Sequence, residues 1–426
     1  MKFRAVKGMN DILPDEARRF QRVERIFRQT VESYGFEELR TPIVEDLALF
    51  QKSTGETSEV VQKQMFLLNR EREILALRPE GTPSSARVYI GEKMHARQPV
   101  TKWYYVGPMF RAERPQRGRY RQFHQAGCEL YGDEGPVSDA EMIDMLHLTT
   151  KRLGLANVKV LINSLGNKEA RLDYRQKLQD YFTPLSEQLS EHAQERLTDN
   201  PLRILDSKDP RDQAAAHNAP LLLDSLTDED REHFEGLKSA LDRLGTPYEV
   251  APRLVRGLDY YSRTCFEIVA ESGEIGSQSA IVGGGRYDAM LEGLGGPPTP
   301  AIGFAMGLER ILLAASAADE ERSPLCFVAP MGEEAKLECL VLSQQLRMAG
   351  FRVELDGRGG SLKSMLRRAN SMGARACIVM GKDEVTNGQA QLKDLSEHKQ
   401  ETLPLSEVVK ATSNMLSTPT STTGAH

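Results

Sequence analysis

The stretch Phe110-Arg-Ala-Glu-Arg-Pro-Gln-Arg-Gly-Arg-Tyr-Arg-Gln-Phe-His-Gln125 concentrates positive charge. Five arginines, Arg111, Arg114, Arg117, Arg119 and Arg121, fall within eleven residues beside one acid, Glu113. Pro115 and Gly118 break the run and mark a loop between two strands. In an antiparallel pair Phe123 and Gln125 share one face. An arginine fork binds phosphate through paired hydrogen bonds, an aromatic ring such as Phe123 stacks on a base, and Glu113 can accept an exocyclic amine. A solvated hairpin with surface ion pairs is the plain alternative, but five cations beside one anion are poorly balanced for structure alone. The pattern implies one wall of a nucleotide site.

The flanking sequence describes the scaffold. Phe20, Val23, Phe27 and Val31 recur at three- and four-residue spacing, so Pro14 to Tyr34 is expected as an amphipathic helix stopped at Gly35. Leu39 to Val44 is expected as a strand, and Pro42 makes it an edge or a contact with another chain. Met65–Leu68, Glu73–Leu77, Lys102–Val106 and Phe123–Tyr131 follow as β-like runs. Short strands without regular strand–helix alternation predict an antiparallel sheet. Ala140–Leu153 reads as a helix and Val158–Ile162 as a strand. Residues 167–245 are mostly helical and charged, which predicts a helical insertion. Strand character returns at Tyr248–Val250, Cys265–Ala270 and Ala280–Val282, and a helix follows Gly307.

Ser316 to Pro324 is polar and reads as a linker. Beyond it Leu325–Ala329, Arg352–Leu355 and Ala376–Met380 read as strands alternating with helices Glu333–Ala349 and Leu362–Met372, which predicts a small α/β domain with a mostly parallel core. The expected fold class is therefore an α+β domain on an antiparallel sheet over residues 1–322, an α/β domain over 323–411 and a disordered tail over 412–426.

Composition narrows the function classes. The chain has 426 residues, 40 % hydrophobic and 27 % charged, enough for a sizeable core. No segment approaches the ~18 unbroken apolar residues of a membrane span. The N-terminal Met1 to Gly8 has no apolar centre and no small-residue cleavage site, so no signal peptide is expected. Five widely spaced cysteines and no C-x-x-C pair imply free thiols in a reducing compartment, hence the cytoplasm. The eight histidines show no metal-ligand spacing, so no metal held by the protein alone is expected. A net charge of −6 argues against a protein that coats DNA, while a local basic surface leaves RNA open. Neither a P-loop nor a strand-borne G-x-G-x-x-G occurs, which disfavours those two routes to ATP.

Four further segments supply complementary groups. Pro300-Ala-Ile-Gly-Phe-Ala-Met-Gly-Leu-Glu-Arg310 is a small-residue strand entering a helix, so a ligand can approach the backbone closely. Leu77-Arg-Pro-Glu-Gly-Thr82 is a charged turn presenting Glu80 and Thr82. Leu254-Val-Arg-Gly-Leu-Asp-Tyr-Tyr261 and Gly283-Gly-Gly-Arg-Tyr-Asp288 add an arginine, tyrosines and glycines. Each alone is also compatible with an ordinary turn or with strand–helix packing.

In this order the segments resemble a class II aminoacyl-tRNA synthetase. Leu39-Arg-Thr-Pro42 resembles motif 1, whose proline lies at the dimer interface; Phe110–Gln125 resembles motif 2; Gly303–Arg310 resembles motif 3. Leu254–Tyr261 and Gly283–Asp288 are more specific and resemble the histidine-binding motifs of the histidyl-tRNA synthetase family, with Lys7-Gly-Met-Asn-Asp11 and Leu77–Thr82 fitting the same family. The resemblance runs from about Lys7 to about Leu405, with no departure at a position that carries chemistry. It implies a homodimer that activates L-histidine with ATP and passes it to the 3′ end of tRNA(His), with Mg2+ bridging the ATP phosphates.

The resemblance also implies roles. Arg111 and Arg256 would act on the α-phosphate, Arg310 on the γ-phosphate, Phe123 under adenine and Glu113 at its amino group. Glu80, Thr82 and Gln125 would bind the α-ammonium, and Glu129 and Tyr261, with Tyr260 and Tyr287, would form the imidazole pocket. Arg256, Arg111 and Gln125 form the expected catalytic set. Arg114, Gln116, Arg117 and Arg119 would face the tRNA acceptor end. The C-terminal domain resembles an anticodon-binding domain, and Arg358, Lys363, Arg367, Arg368 and Arg375 are either its phosphate-contacting face or a solvated helix face. Two rivals remain. One is a histidine-binding regulatory relative, which would lack the C-terminal domain or motif arginines that this chain keeps. The other is a general RNA-binding protein, which leaves Glu80, Gln125, Glu129, Tyr260 and Tyr261 unexplained.

Overall fold

Phe20, Val23, Phe27 and Val31 lie buried on one face of the helix Pro14–Ser33. Pro14 occupies the first turn, where a missing N–H costs nothing, and Gly35 takes φ +81° just past the end. Burying each such side chain contributes about 1.5–3 kcal/mol. The computed structural model describes residues 3–55, 58–69, 73–155, 157–205, 207, 209–255, 260–270, 280–315 and 324–417. Arg256 and the rest of the 256–259 segment, most of the linker and the tail beyond 417 lie outside the described residues. The chain divides into two compact units, Met1–Asp319 and Glu320–His426.

The strands of the first unit are β1 (Glu37–Glu38), β2 (Val44–Asp46), β3 (Phe66–Asn69), β4 (Ile74–Leu77), β5 (Thr101–Phe110), β6 (Gln122–Tyr131), β7 (Val158–Ser164), β8 (Glu249–Val250), β9 (Ser262–Ala270), β10 (Ala280–Arg286) and β11 (Ala301–Gly307). Eight of them form one sheet in the order β1-β5-β6-β11-β10-β9-β7-β8. Its centre is antiparallel as expected, and only the two short outer strands pair in parallel. The helices Pro14–Ser33 and Pro136–Arg152 cover one face and share its main core. A second small sheet runs β2-β4-β3.

Two local expectations change. Leu39–Val44 is not one strand: β1 ends at Glu38, β2 begins at Val44, and Pro42 lies exposed between them. The buried Arg78 holds this gap, donating from Nη1 to the Thr41 carbonyl at 3.0 Å and to Thr41 Oγ1 at 2.9 Å. The turn expected at Leu77–Thr82 is the entry to a helix, Thr82–Gly91, with Pro83 in its first turn.

The region 167–245 is helical as expected, with Lys168–Phe182, Glu191–Asp199, Pro210–Ala216 and Asp228–Leu244. It has its own core around Tyr174, Leu178 and Phe182. Its last helix instead joins the main core through Phe234, Leu237 and Leu241. There His233 Nε2 lies 2.8 Å from Asp139 Oδ2.

The second unit holds β12 (Leu325–Pro330), β13 (Arg352–Leu355), β14 (Ala374–Met380), β15 (Gln389–Asp394) and β16 (Lys399–Pro404) in the order β13-β12-β14-β15-β16. The three expected strands are parallel; β15 and β16 add an antiparallel edge that makes the sheet mixed. The tail boundary also moves. The helix Leu405–Ser417 runs through Thr412, which is buried, and Met415 and Leu416 pack on the core.

Candidate active site

Alternation along β11 builds the floor of a cleft. Ile302, Phe304 and Met306 point into the main core, leaving Ala301, Gly303, Ala305 and Gly307 on the opposite face. Tyr131, Glu129, Gly127 and Gln125 of β6 stand in register beside them. Trp103, Tyr105 and Gly107 of β5 follow opposite Glu129, Gly127 and Gln125. The small residues make room for particular side chains. A Cβ at Gly127 would stand 2.5 Å from the Tyr105 hydroxyl, and one at Gly303 would overlap Glu129 Oε2.

Glu129 is fully buried in this floor. Thr82 Oγ1 donates to its Oε1 at 2.6 Å and the Tyr105 hydroxyl to the same oxygen at 3.2 Å. The Tyr287 hydroxyl donates to Oε2. Burial pushes the carboxyl up to about 8; the three hydroxyls oppose this and the nearby Glu80 charge adds to it. Glu80 is also buried, and it accepts from the Tyr260 hydroxyl at 3.0 Å. The Tyr260 ring lies 5.8 Å from that of Tyr287 and 4.6 Å from that of Tyr261.

Tyr261 packs beside Tyr260 and against the core of the helical insertion, and its carbonyl accepts from Arg171 Nη1 at 2.5 Å. Tyr105 and Tyr287 both donate to Glu129. Tyr105 was invisible as a site residue in the sequence, where it reads as one position of an ordinary β run. The arginine of the Gly283–Asp288 motif is structural. Arg286 is completely buried; its Nε donates to Asp139 Oδ2 at 3.0 Å and its Nη2 lies 2.7 Å from Asp139 Oδ1. It fixes the chain before Tyr287 rather than facing the cleft.

Gln125 is buried, and its Oε1 has no donor among the described residues. Further along the same face Arg111 donates from Nε to the Pro79 carbonyl at 3.0 Å, with its guanidinium 5.3 Å from the Phe123 ring centre. Arg310 donates to the carbonyls of Gly118 at 3.3 Å and Ala280 at 2.6 Å. Burial lowers the Arg310 pKa; the positive charges of Arg119 and Arg111 lower it further, and the carboxylates of Glu113 and Glu267 oppose this. Cations crowded against one another in this way favour an anionic guest.

The connecting loop is held at its base by the N-terminal segment. The Gly8 carbonyl accepts from the backbone of Arg121 at 2.7 Å and of Gln122 at 3.3 Å. Gly8 takes φ +84°, and a Cβ there would stand 2.8 Å from Pro115. Arg114, Gln116 and Arg117 are exposed, as an acceptor-end contact needs. Arg119 instead turns back to Glu113, Nη1 to Oε2 at 3.3 Å.

In the second unit the five-residue basic run splits. Arg358, Lys363 and Arg367 are exposed. Arg368 is tied to the buried Asp356 and the Gly359 carbonyl, and Arg375 donates to the Leu416 carbonyl at 3.3 Å.

An antiparallel sheet that aims arginines from a strand–loop–strand hairpin and from the helix after a small-residue strand into one cleft defines a class II aminoacyl-tRNA synthetase catalytic domain. The family model for histidyl-tRNA synthetase matches residues 8–311, and that for the anticodon binding domain matches residues 325–415. A histidine–tRNA ligase of Sorangium cellulosum is 53 % identical over 405 residues, covering 95 % of each chain. One of Anaeromyxobacter dehalogenans is 45 % identical over 412 residues, 96 % of this chain and 99 % of its own. The solved structure of apo histidyl-tRNA synthetase from S. aureus aligns with a TM-score of 0.81 at 33 % identity, covering 96 % of this chain and 99 % of that one. The chain belongs to the histidyl-tRNA synthetase family, whose activity is the ligation of histidine to tRNA.

Proposed function

We propose that the cleft joins L-histidine and ATP as histidyl-adenylate and passes the histidyl group to the 3′ end of tRNA(His), releasing pyrophosphate and AMP. The observation that carries this assignment is the buried Glu129 with its hydroxyl donors, lying on the same sheet face as the arginine cluster. A carboxyl among phenols can pair both ring nitrogens of an imidazole, one as acceptor and one as donor. Phenylalanine offers neither nitrogen and would leave those buried groups unpaired, a regime of strong rejection without editing. Glu80, Thr82 and the unpaired Gln125 Oε1 suit the α-ammonium.

The first step brings a carboxylate to a polyanion, so fixed positive charge must stand ready. Arg111 and Arg256 would take the α-phosphate and Arg310 the γ-phosphate. Phe123 would stack on adenine, whose amino group Glu113 would accept. No group of three or more His, Cys, Asp or Glu able to hold a metal occurs among the described residues. Mg2+ would arrive with ATP, carried mainly by phosphate oxygens and water. The exposed hairpin residues Arg114, Gln116 and Arg117 would meet the acceptor end.

The partner in the working molecule would be a second copy. The small β2-β4-β3 sheet exposes apolar side chains on both faces, Val44 and Leu68 on one and Leu67 and Ile74 on the other, beside exposed Pro42. A homodimer would cover them. No helix among the described residues is long and apolar enough to cross a membrane, and the free cysteines suit the cytoplasm. Aminoacylation tests the assignment: the protein should form an alkali-labile histidyl ester on tRNA(His), and failure to do so with ATP and Mg2+ present would contradict it.

A further inference from the structure

We propose that Glu309 is a positioning residue that sets strand β6 against the helix carrying Arg310; this rests on the reading of the cleft given above. β6 is paired by β5 along its whole length as far as Gln122. On its other side β11 ends earlier, with Gly307 opposite Gln125. His124, the next residue of β6, therefore has no strand neighbour on that side. The Glu309 carboxylate takes the vacant ladder position. The His124 backbone N–H donates to Glu309 Oε1 at 2.9 Å and to Oε2 at 3.0 Å. Oε1 also lies 2.9 Å from His124 Nδ1.

The His124 ring meets Phe20 of the first helix edge-on, with centroids 5.3 Å apart. It points to the helix layer, opposite to Phe123 and Gln125 on either side of it. Glu309 thus acts from behind the sheet, through the backbone between the adenine-stacking ring and the ammonium acceptor. The following residue, Arg310, reaches the other way, to Gly118 and Ala280. Two adjacent side chains so tie the helix to strand β6, to the hairpin loop and to β10. A carboxylate carries out the first task because a single side chain must accept from one backbone N–H and one ring nitrogen together.

Glu309→Ala leaves the His124 N–H without its acceptor. In histidine-dependent pyrophosphate exchange, kcat/KM for ATP should fall about tenfold to a hundredfold, with KM for ATP raised. Glu309→Gln keeps a carbonyl acceptor and should recover most of the loss; Glu309→Asp, one methylene shorter, should not. Hydrogen exchange at the His124 amide gives a readout independent of activity: protection should be lost in the Ala variant and kept in the Gln variant. Unchanged kinetics in Glu309→Ala, equal damage in Glu309→Gln, or unchanged amide protection would overturn the proposal. If the Ala variant fails to fold, the Gln and Asp variants decide, and Asp outperforming Gln would overturn it. An inactive parent protein would refute the assignment of the cleft, while the amide measurement would still decide the link between Glu309 and His124.

Discussion

At one end of the cleft Glu129 is fully buried and accepts from three hydroxyls; at the other, Arg111, Arg119 and Arg310 remain partly open and press on one another electrostatically. The first end works at hydrogen-bond range, where each donor and acceptor must be matched or cost about 1–3 kcal/mol. The second works by accumulated positive charge on guanidinium forks. On the reading proposed above, the contrast would separate choosing from reacting. The buried network would discriminate the side chain of the amino acid, whereas the arginine wall would hold the phosphates whatever amino acid is bound.

Removing the arginine proposed to act on the α-phosphate tests that separation most severely. Arg256→Ala should lower pyrophosphate exchange by roughly 10²–10³-fold while leaving the melting temperature nearly unchanged. A collapsed fold would instead assign Arg256 a structural role. At the other end Glu129→Gln should act chiefly on histidine. Its amide N–H would oppose the hydroxyl donors of Thr82, Tyr105 and Tyr287, and KM for histidine should rise about tenfold to a hundredfold. Equal loss for ATP and histidine would erase the distinction between the two ends.

A smaller effect of the same substitution should appear in the melting curve of the ligand-free protein. The Glu129 carboxyl is raised from its ordinary 4.5 to about 8, so the folded state holds this proton more tightly than the unfolded state. Its contribution to stability is complete below pH 4.5 and is lost as pH rises through about 8. Glu129→Gln removes that loss, so the variant's melting temperature relative to the parent should climb across this window and level above it. A constant difference would show that Glu129 is already ionised in the fold.

The parts legible in the sequence are those with a local period or a local surplus. Phe20, Val23, Phe27 and Val31 announce their helix because helical spacing places them on one face. The small residues of β11 announce a strand that a ligand can approach. The arginines of the hairpin stand out because a single acid, Glu113, stands beside five of them. Partners distant in sequence have no such signature. Nothing local to the Gly283–Asp288 segment shows that Arg286 meets Asp139, 147 residues away. Nothing local to Glu309 shows that it meets His124, 185 residues away. Tyr105 becomes a site residue only because Gly127 and Gly81 leave room for its ring. The end of the second unit was misjudged for a different reason: the Ser/Thr content beyond Thr412 hid an amphipathic continuation, in which Met415 and Leu416 still pack on the core.

Pyrophosphate exchange run with a panel of single amino acids tests the division of labour most directly. L-histidine alone should drive exchange of label into ATP, with L-phenylalanine at background. Exchange driven equally by other amino acids would mean that the Glu129 network does not choose the substrate, and no exchange with histidine in a folded, magnesium-supplied sample would contradict the account of the cleft itself.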